Sequence, residues 1–376
     1  MIADGRHHYS IDGVLNISSA VTLPELQFFK VQAVEHADLT IRVAAVGGFG
    51  PRLRSHLHVS GRHVLYREHL GSLFANFSID VGDPVDVVAA PMLAMSPHVL
   101  YTNIVEPLLR FMLVDRGYML LHAACIQIDG HSIMLSAQTD TGKTSTILSL
   151  LRRHEGTFYS DDMLVVSRHG MARRYPKPLT ISAHTLRAVP QNRLKLRQRL
   201  SLSWQSRLHS RGGRAVGKRM GERNLPIMAM NAAVQMMVPP PKYMVTDLVD
   251  CRIGNEIPIE DIYLIERGRP SHVAPVDRSD ALRELLSNTE DAYGFPPYAE
   301  LAPRLVIGGR NHAELRREEA SILASALEWA EITRIRVDDF SWPELIQARR
   351  RPAPALSAGV PAQLDPGRVQ IASGPR

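Results

Sequence analysis

Residues 121–166 read LHAACIQIDGHSIMLSAQTDTGKTSTILSLLRRHEGTFYSDDMLVV, and the rest of the chain is organised around them. Two short apolar runs, 123–128 and 132–136, are split by Asp129-Gly130, a dipeptide suited to a two-residue hairpin. The second run leads into Gly142-Lys143-Thr144. A helix is expected from Lys143 to about Arg153, with Ile147, Leu148 and Leu151 on one face. Beyond it, Asp161 and Asp162 stand just before a further apolar run, Met163 to Val166. Strand, glycine-bearing turn, helix and second strand predict an α/β fold.

The backbone N–H groups at a helix N-terminus are unpaired and carry partial positive charge, so they attract phosphate. Ala137, Gln138, Thr139, Asp140, Thr141, Gly142, Lys143, Thr144 and Ser145 are therefore the candidate cradle for a nucleotide. Lys143 can reach the terminal phosphates, and the Thr144 hydroxyl can take a place on Mg²⁺. Adjacent side chains on extended backbone point to opposite sides. One of Asp161 and Asp162 can thus hold the metal while the other turns toward a substrate hydroxyl, a division of labour that suits phosphoryl transfer. Two residues depart from the general loop pattern: Ala137 stands at its first glycine, and Asp140 puts a carboxylate inside the anion-binding turn.

Leu121-His122, the hairpin, Gly142-Lys143-Thr144 and Ser160-Asp161-Asp162 resemble the catalytic core of HPr kinase/phosphorylase. They are also similar to its bacterial homologues, including the kinases of lasso-peptide precursors. The resemblance covers roughly residues 117–190. It implies a P-loop core like the C-terminal domain of HPr kinase, with ATP and Mg²⁺ as cofactors and a serine of a peptide or protein as acceptor. Carried over by position, His122 neighbours the aspartates, Asp161 is the general base and Asp162 the metal ligand, with exchange of the two left open. The later acidic metal-binding loop of the HPr enzymes has no copy here.

At 376 residues the chain is long enough for two cores, and a hydrophobic content of 45% with 22% charged residues describes a globular protein. No run approaches the ~18 consecutive apolar residues of a membrane span. The start lacks a secretion-signal pattern, and two cysteines, Cys125 and Cys251, cannot make a disulfide framework. A cytoplasmic location is expected. The net charge of +6 is concentrated from Arg193 to Arg223, where basic residues recur against Glu222 alone.

In chain order, residues 1–100 are expected to form a β-rich domain, with alternation at 39–43, 63–67 and 74–79 and turns at Gly47-Gly48, Gly50-Pro51 and Gly82-Asp83-Pro84. His56, His58 and His63 lack carboxylate or cysteine partners at metal-ligand spacing. Residues 101–350 form the expected ATP-binding domain, opened by a helix at 101–114 that is apolar around most of its circumference and stops at Arg116-Gly117. Arg174 and Lys177 could neutralise phosphate or an acidic acceptor; the reading preferred from sequence is two exposed charges beside a proline turn. A basic insertion, 191–225, follows. Within it 193–223 reads as a solvated loop, a closing lid, a membrane-surface helix anchored by Trp204, or a nonspecific nucleic-acid contact. Residues 227–238 read as a buried Met- and Ala-rich segment ended by Pro239-Pro240-Pro241. A strand is expected at 259–265, and helices at 280–287 and 313–330. Residues 351–376 are expected to be a disordered tail.

Three functions follow as expectations. The first is an ATP- and Mg²⁺-dependent kinase acting on a hydroxyl. The second is a nucleotide-binding regulatory module with little catalysis. The third is an adaptor that meets an anionic membrane or nucleic acid through residues 193–223. Oligomerisation is left open.

Overall fold

The computed structural model describes residues 6–47, 56–138, 141–180, 226–237, 242–293 and 297–349. Among them the chain is mixed α/β, with main sheets of eight, four and seven strands. The expectations for 191–225, for 351–376 and for the proline run at 239–241 lie outside the described residues, as do Thr139, Asp140, Gly48, Gly50 and Pro51.

The seven-stranded sheet separates two apolar cores. In spatial order its strands are Arg252–Ile253, Gly156–Ser160, Ala124–Ile128, His131–Ser136, Asp261–Arg267, Glu331–Val337 and His272–Pro275. Side chains alternate across it, as successive residues of a strand must. Cys125, Met134, Tyr159, Ile262 and Leu264 enter one core. Ala124, Ile126, Ile133, Leu135, Phe158, Tyr263 and Ile265 enter the other. The fifth strand, Asp261–Arg267, runs parallel to both neighbours, and parallel strands covered on both faces are apolar throughout rather than alternating. The IYLI run at 262–265 shows that pattern.

On the second core's side, helix Lys143–Arg153 buries Ile147, Leu148, Leu150 and Leu151 against the sheet. Each such side chain contributes about 1.5–3 kcal/mol when fully buried. On the other side, helices Arg278–Ala292 and His312–Ala326 cover the first core. The second of these was expected to run to residue 330 but ends at Ala326. Ile332, Ile335 and Val337 belong to the strand Glu331–Val337, where β-branched residues fit the pleated surface and override helical continuation.

The N-terminal region is β-rich: eight strands in the order Lys30–Val31, His7–Ile11, Leu15–Ser19, Leu39–Val43, Val85–Ala89, Phe77–Val81, His63–Arg67, His56–Ser60. Its apolar face does not close on itself. It continues into a core shared with Tyr101–Val105, Glu106–Asp115 and the four-stranded sheet. Hence the segment 101–114 is apolar on nearly all sides: apart from the half-buried Thr102 and Asn103, every residue in it is buried. Arg110, in its middle, is fully buried, with Nε 2.7 Å from Glu319 Oε1, Nη1 2.8 Å from the Tyr298 hydroxyl and the guanidinium 4.6 Å above the Tyr293 ring. Helix Ile227–Met237 is tied to the N-terminal sheet where the Ala229 amide donates to Glu68 Oε1 at 2.8 Å.

Two outcomes are expected. Breaking a buried ion pair from one side leaves an uncompensated charge, so Arg110→Met should cost about 3–5 kcal/mol in urea unfolding. Burial pushes the Glu68 carboxyl up from 4.5 to about 7, against the Tyr66 hydroxyl and Ala229 amide that donate to it. The fold therefore favours its protonated form, and that stabilisation, complete below about pH 4.5, is lost as pH rises through about 7. Unfolding free energy measured from pH 5 to 8 should fall by up to about 3 kcal/mol, and Glu68→Gln should flatten the profile.

Candidate active site

Two segments of chain pass from the four-stranded to the seven-stranded sheet side by side. Leu121 pairs with Leu164 in the first sheet, and Cys125 with Ser160 in the second. Residues 122–124 must therefore lie opposite 161–163, and His122 meets Asp162 with Nε2 3.4 Å from Oδ1. The ring is fixed from behind, Nδ1 lying 3.0 Å from the Asn288 carbonyl oxygen. That oxygen can only accept, so Nδ1 is the donor. The His122 amide donates to Thr289 Oγ1 at 3.1 Å. Asp161 and Asp162 form a bend between strands Gly156–Ser160 and Leu164–Ser167 rather than the start of a strand, yet their side chains still diverge.

Asp161 turns toward the helix Lys143–Arg153, where Thr144 Oγ1 donates to its Oδ2 at 2.9 Å. Before that helix Ala137 is buried, and the Thr141 amide donates to the Gln138 carbonyl at 3.2 Å. Thr139 and Asp140 lie outside the described residues. Gly142 holds φ +133°, and a Cβ there would stand 3.1 Å from Trp342 and 3.2 Å from Phe340. Those rings pack edge to face, 5.3 Å apart, and Phe340 itself has φ +63°, rare for a bulky residue. Ser145 and Thr146 spend their hydroxyls on the Gly142 carbonyl, each at 2.9 Å.

Lys143 Nζ and Asp161 Oδ1 are both buried, and neither has a hydrogen-bond partner among the described residues. Burial brings the Lys143 amine down to about 8, outweighing the pull of Asp162 and Asp161. Burial, then the charge of Asp162, pushes Asp161 up to about 6. Asp162 behaves oppositely although its side chain is 48% exposed. Partial desolvation would lift it, but Lys177 and then His122 outweigh that and hold it well below the usual carboxylate range.

Lys177 is not the exposed charge that the sequence suggested. Its Nζ is 2.7 Å from Asp162 Oδ2 and 2.6 Å from Glu106 Oε2, with only 11% of the side chain accessible. Proline on both sides, at 176 and 178, restricts the backbone and holds the lysine extended into the site. Glu106 carries no readable signal in the sequence, since its partner lies 71 positions away. Arg174 points elsewhere, pairing with Asp12 at 2.7 Å.

The structure thus gathers His122, Lys143, Thr144, Asp161 and Asp162, and adds Glu106 and Lys177. The sequence expects Asp161 as base and Asp162 on the metal, with exchange open; Thr144 contacts Asp161, and His122 contacts Asp162. Among the described residues no three His, Cys, Asp or Glu side chains converge as an all-protein metal site. One carboxylate and one hydroxyl suit Mg²⁺, which takes its remaining oxygens from phosphate and water. His56, His58 and His63 lie on an exposed hairpin away from this cluster.

Because Gly142 has both a left-handed φ and filled space, Gly142→Ala should strain the loop by about 1–3 kcal/mol. The fall in melting temperature should disappear when Phe340 and Trp342 are trimmed only to the extent that contact, rather than φ, causes it; thermal scans of the single and combined variants separate the two.

No family model matches the chain, and no curated protein matches it. Among the described residues no helix is long and apolar enough to cross a membrane.

Proposed function

We propose that the chain transfers the terminal phosphoryl group of Mg·ATP to a hydroxyl, through a P-loop core of the HPr-kinase type. The observation that carries this reading is a pair of buried atoms on oppositely charged groups, Lys143 Nζ and Asp161 Oδ1, neither with a hydrogen-bond partner among the described residues. An unsatisfied buried polar group costs about 1–3 kcal/mol, and more when charged. The two do not relieve each other. A ligand that brings an anion to the lysine and a cation to the aspartate satisfies both, and a metal polyphosphate is such a ligand. The helix N-terminus beside Lys143 adds positive potential on the phosphate side.

Thr144 and Asp161 would hold Mg²⁺, which supplies charge neutralisation at the phosphates. Lys143 and the loop amides orient the β- and γ-phosphates. Asp162, steered by His122, faces the acceptor. The acceptor oxygen bonds to the γ-phosphorus as the bond to the bridging oxygen of ADP breaks, and the acceptor proton passes to Asp162. A carboxylate held this far toward its ionised form is a weak base. In a loose phosphoryl-transfer transition state orientation of the nucleophile counts for more. The resemblance to HPr-kinase-like enzymes favours a peptide or protein serine as acceptor.

The reading makes an unusual demand on stability. Lys143→Met and Asp161→Asn each remove an unsatisfied charge, so both should raise the unfolding free energy of the nucleotide-free protein by about 1–2 kcal/mol. Both should also abolish the rise in melting temperature that Mg·ATP gives the wild type. Variants that destabilise, together with a wild type indifferent to Mg·ATP, would sink the assignment.

A further inference from the structure

We infer that Lys177, fixed in place by Glu106, is a positioning residue of this centre, holding the Asp162 carboxylate toward the acceptor hydroxyl. The inference rests on the phosphotransferase reading and adds two residues to it.

Nearly half of the Asp162 side chain, 48%, is open, so packing does not select its rotamer. Two donors do. His122 Nε2 lies 3.4 Å from Oδ1 and Lys177 Nζ 2.7 Å from Oδ2, one on each oxygen. A carboxylate met at both oxygens cannot rotate freely, and its remaining lone pairs are left for the open side.

Glu106 supplies what a lone lysine would lack. An ammonium beside a polyphosphate is drawn to it, and a Lys177 that followed the phosphate would abandon Asp162. Glu106, only 5% exposed, holds the ammonium at 2.6 Å and keeps it on the acid's side. Of the three N–H groups of Lys177, one goes to each carboxylate.

The backbone is built for this contact. Glu106 opens the helix Glu106–Asp115 directly after a π-helical turn, Tyr101–Val105. Such turns are rare and concentrate at functional sites. Across from it, Tyr175 sets its hydroxyl 2.6 Å from that of Tyr101, and Lys177 Nζ stands 5.6 Å from the Tyr101 ring. A buried ion pair seldom stabilises more than apolar residues of the same volume. A pair that reaches a half-open acid has a use beyond packing.

The test uses the full chain with Mg·ATP as the only probe, water serving as acceptor. Lys177→Met should lower the turnover number for phosphate release by about 10²-fold, the loss expected for a misplaced catalytic group, with KM for ATP unchanged. Because that variant leaves two carboxylates facing each other and could fail to fold, Lys177→Met/Glu106→Gln is measured alongside. It should melt near the wild type and show the same loss. Lys177→Arg, which can still bridge two carboxylates, should recover part of the rate. The inference is overturned if the double variant releases phosphate at the wild-type rate, or if the loss lies in KM, which would make Lys177 a phosphate ligand. A wild type that binds Mg·ATP yet releases no phosphate also counts against it. A wild type giving no heat with Mg·ATP overturns the phosphotransferase reading itself, and this inference with it.

Discussion

The centre of this protein depends on one constraint of strand pairing. Two segments leave a four-stranded sheet and join a seven-stranded one at the same place, kept abreast by the pairs Leu121–Leu164 and Cys125–Ser160. Between those pairs the two segments no longer pair with each other, and three side chains there face a site instead of a core. His122, Asp161 and Asp162 occupy those positions. Had the crossings been staggered by a residue, side chains that now face the site would point to the opposite face.

Around that crossing the charges divide into a satisfied set and an unsatisfied one. Asp162, Lys177 and Glu106 are bound to one another. Lys143 Nζ and Asp161 Oδ1 are buried without a hydrogen-bond partner among the described residues. Proteins seldom leave such groups orphaned, and those that remain tend to mark places where stability has been given up for function. Lys177 already occupies Asp162, so Asp162 is not left to pair with Lys143.

Much of this is legible in the sequence alone. The hairpin at Asp129-Gly130, the helix from Lys143 to Arg153 and the strand near 259–265 follow from turn chemistry and periodicity, which are local. Which aspartate meets Thr144 was not legible, because a bend sets the direction of both side chains. The burial of Lys177 is illegible for a related reason. A lysine between prolines resembles an exposed turn, and only a glutamate far away in sequence makes its burial tolerable. The strand Glu331–Val337 was hidden behind a helical stripe, since its place beside Asp261–Arg267 is a property of the sheet. Asn288 and Thr289, which steady His122, sit on a helix whose ordinary amphipathic pattern gives no hint of the task.

The packing of Phe340 and Trp342 against Gly142 bears on how the molecule is assembled. The glycine lies before the middle of the chain, whereas the two rings lie near the end of the described residues. During synthesis the 137–142 turn therefore emerges long before the surface that supports it. A chain cut short before residue 340 would retain every polar side chain of the centre and still lack the aromatic wall behind its turn.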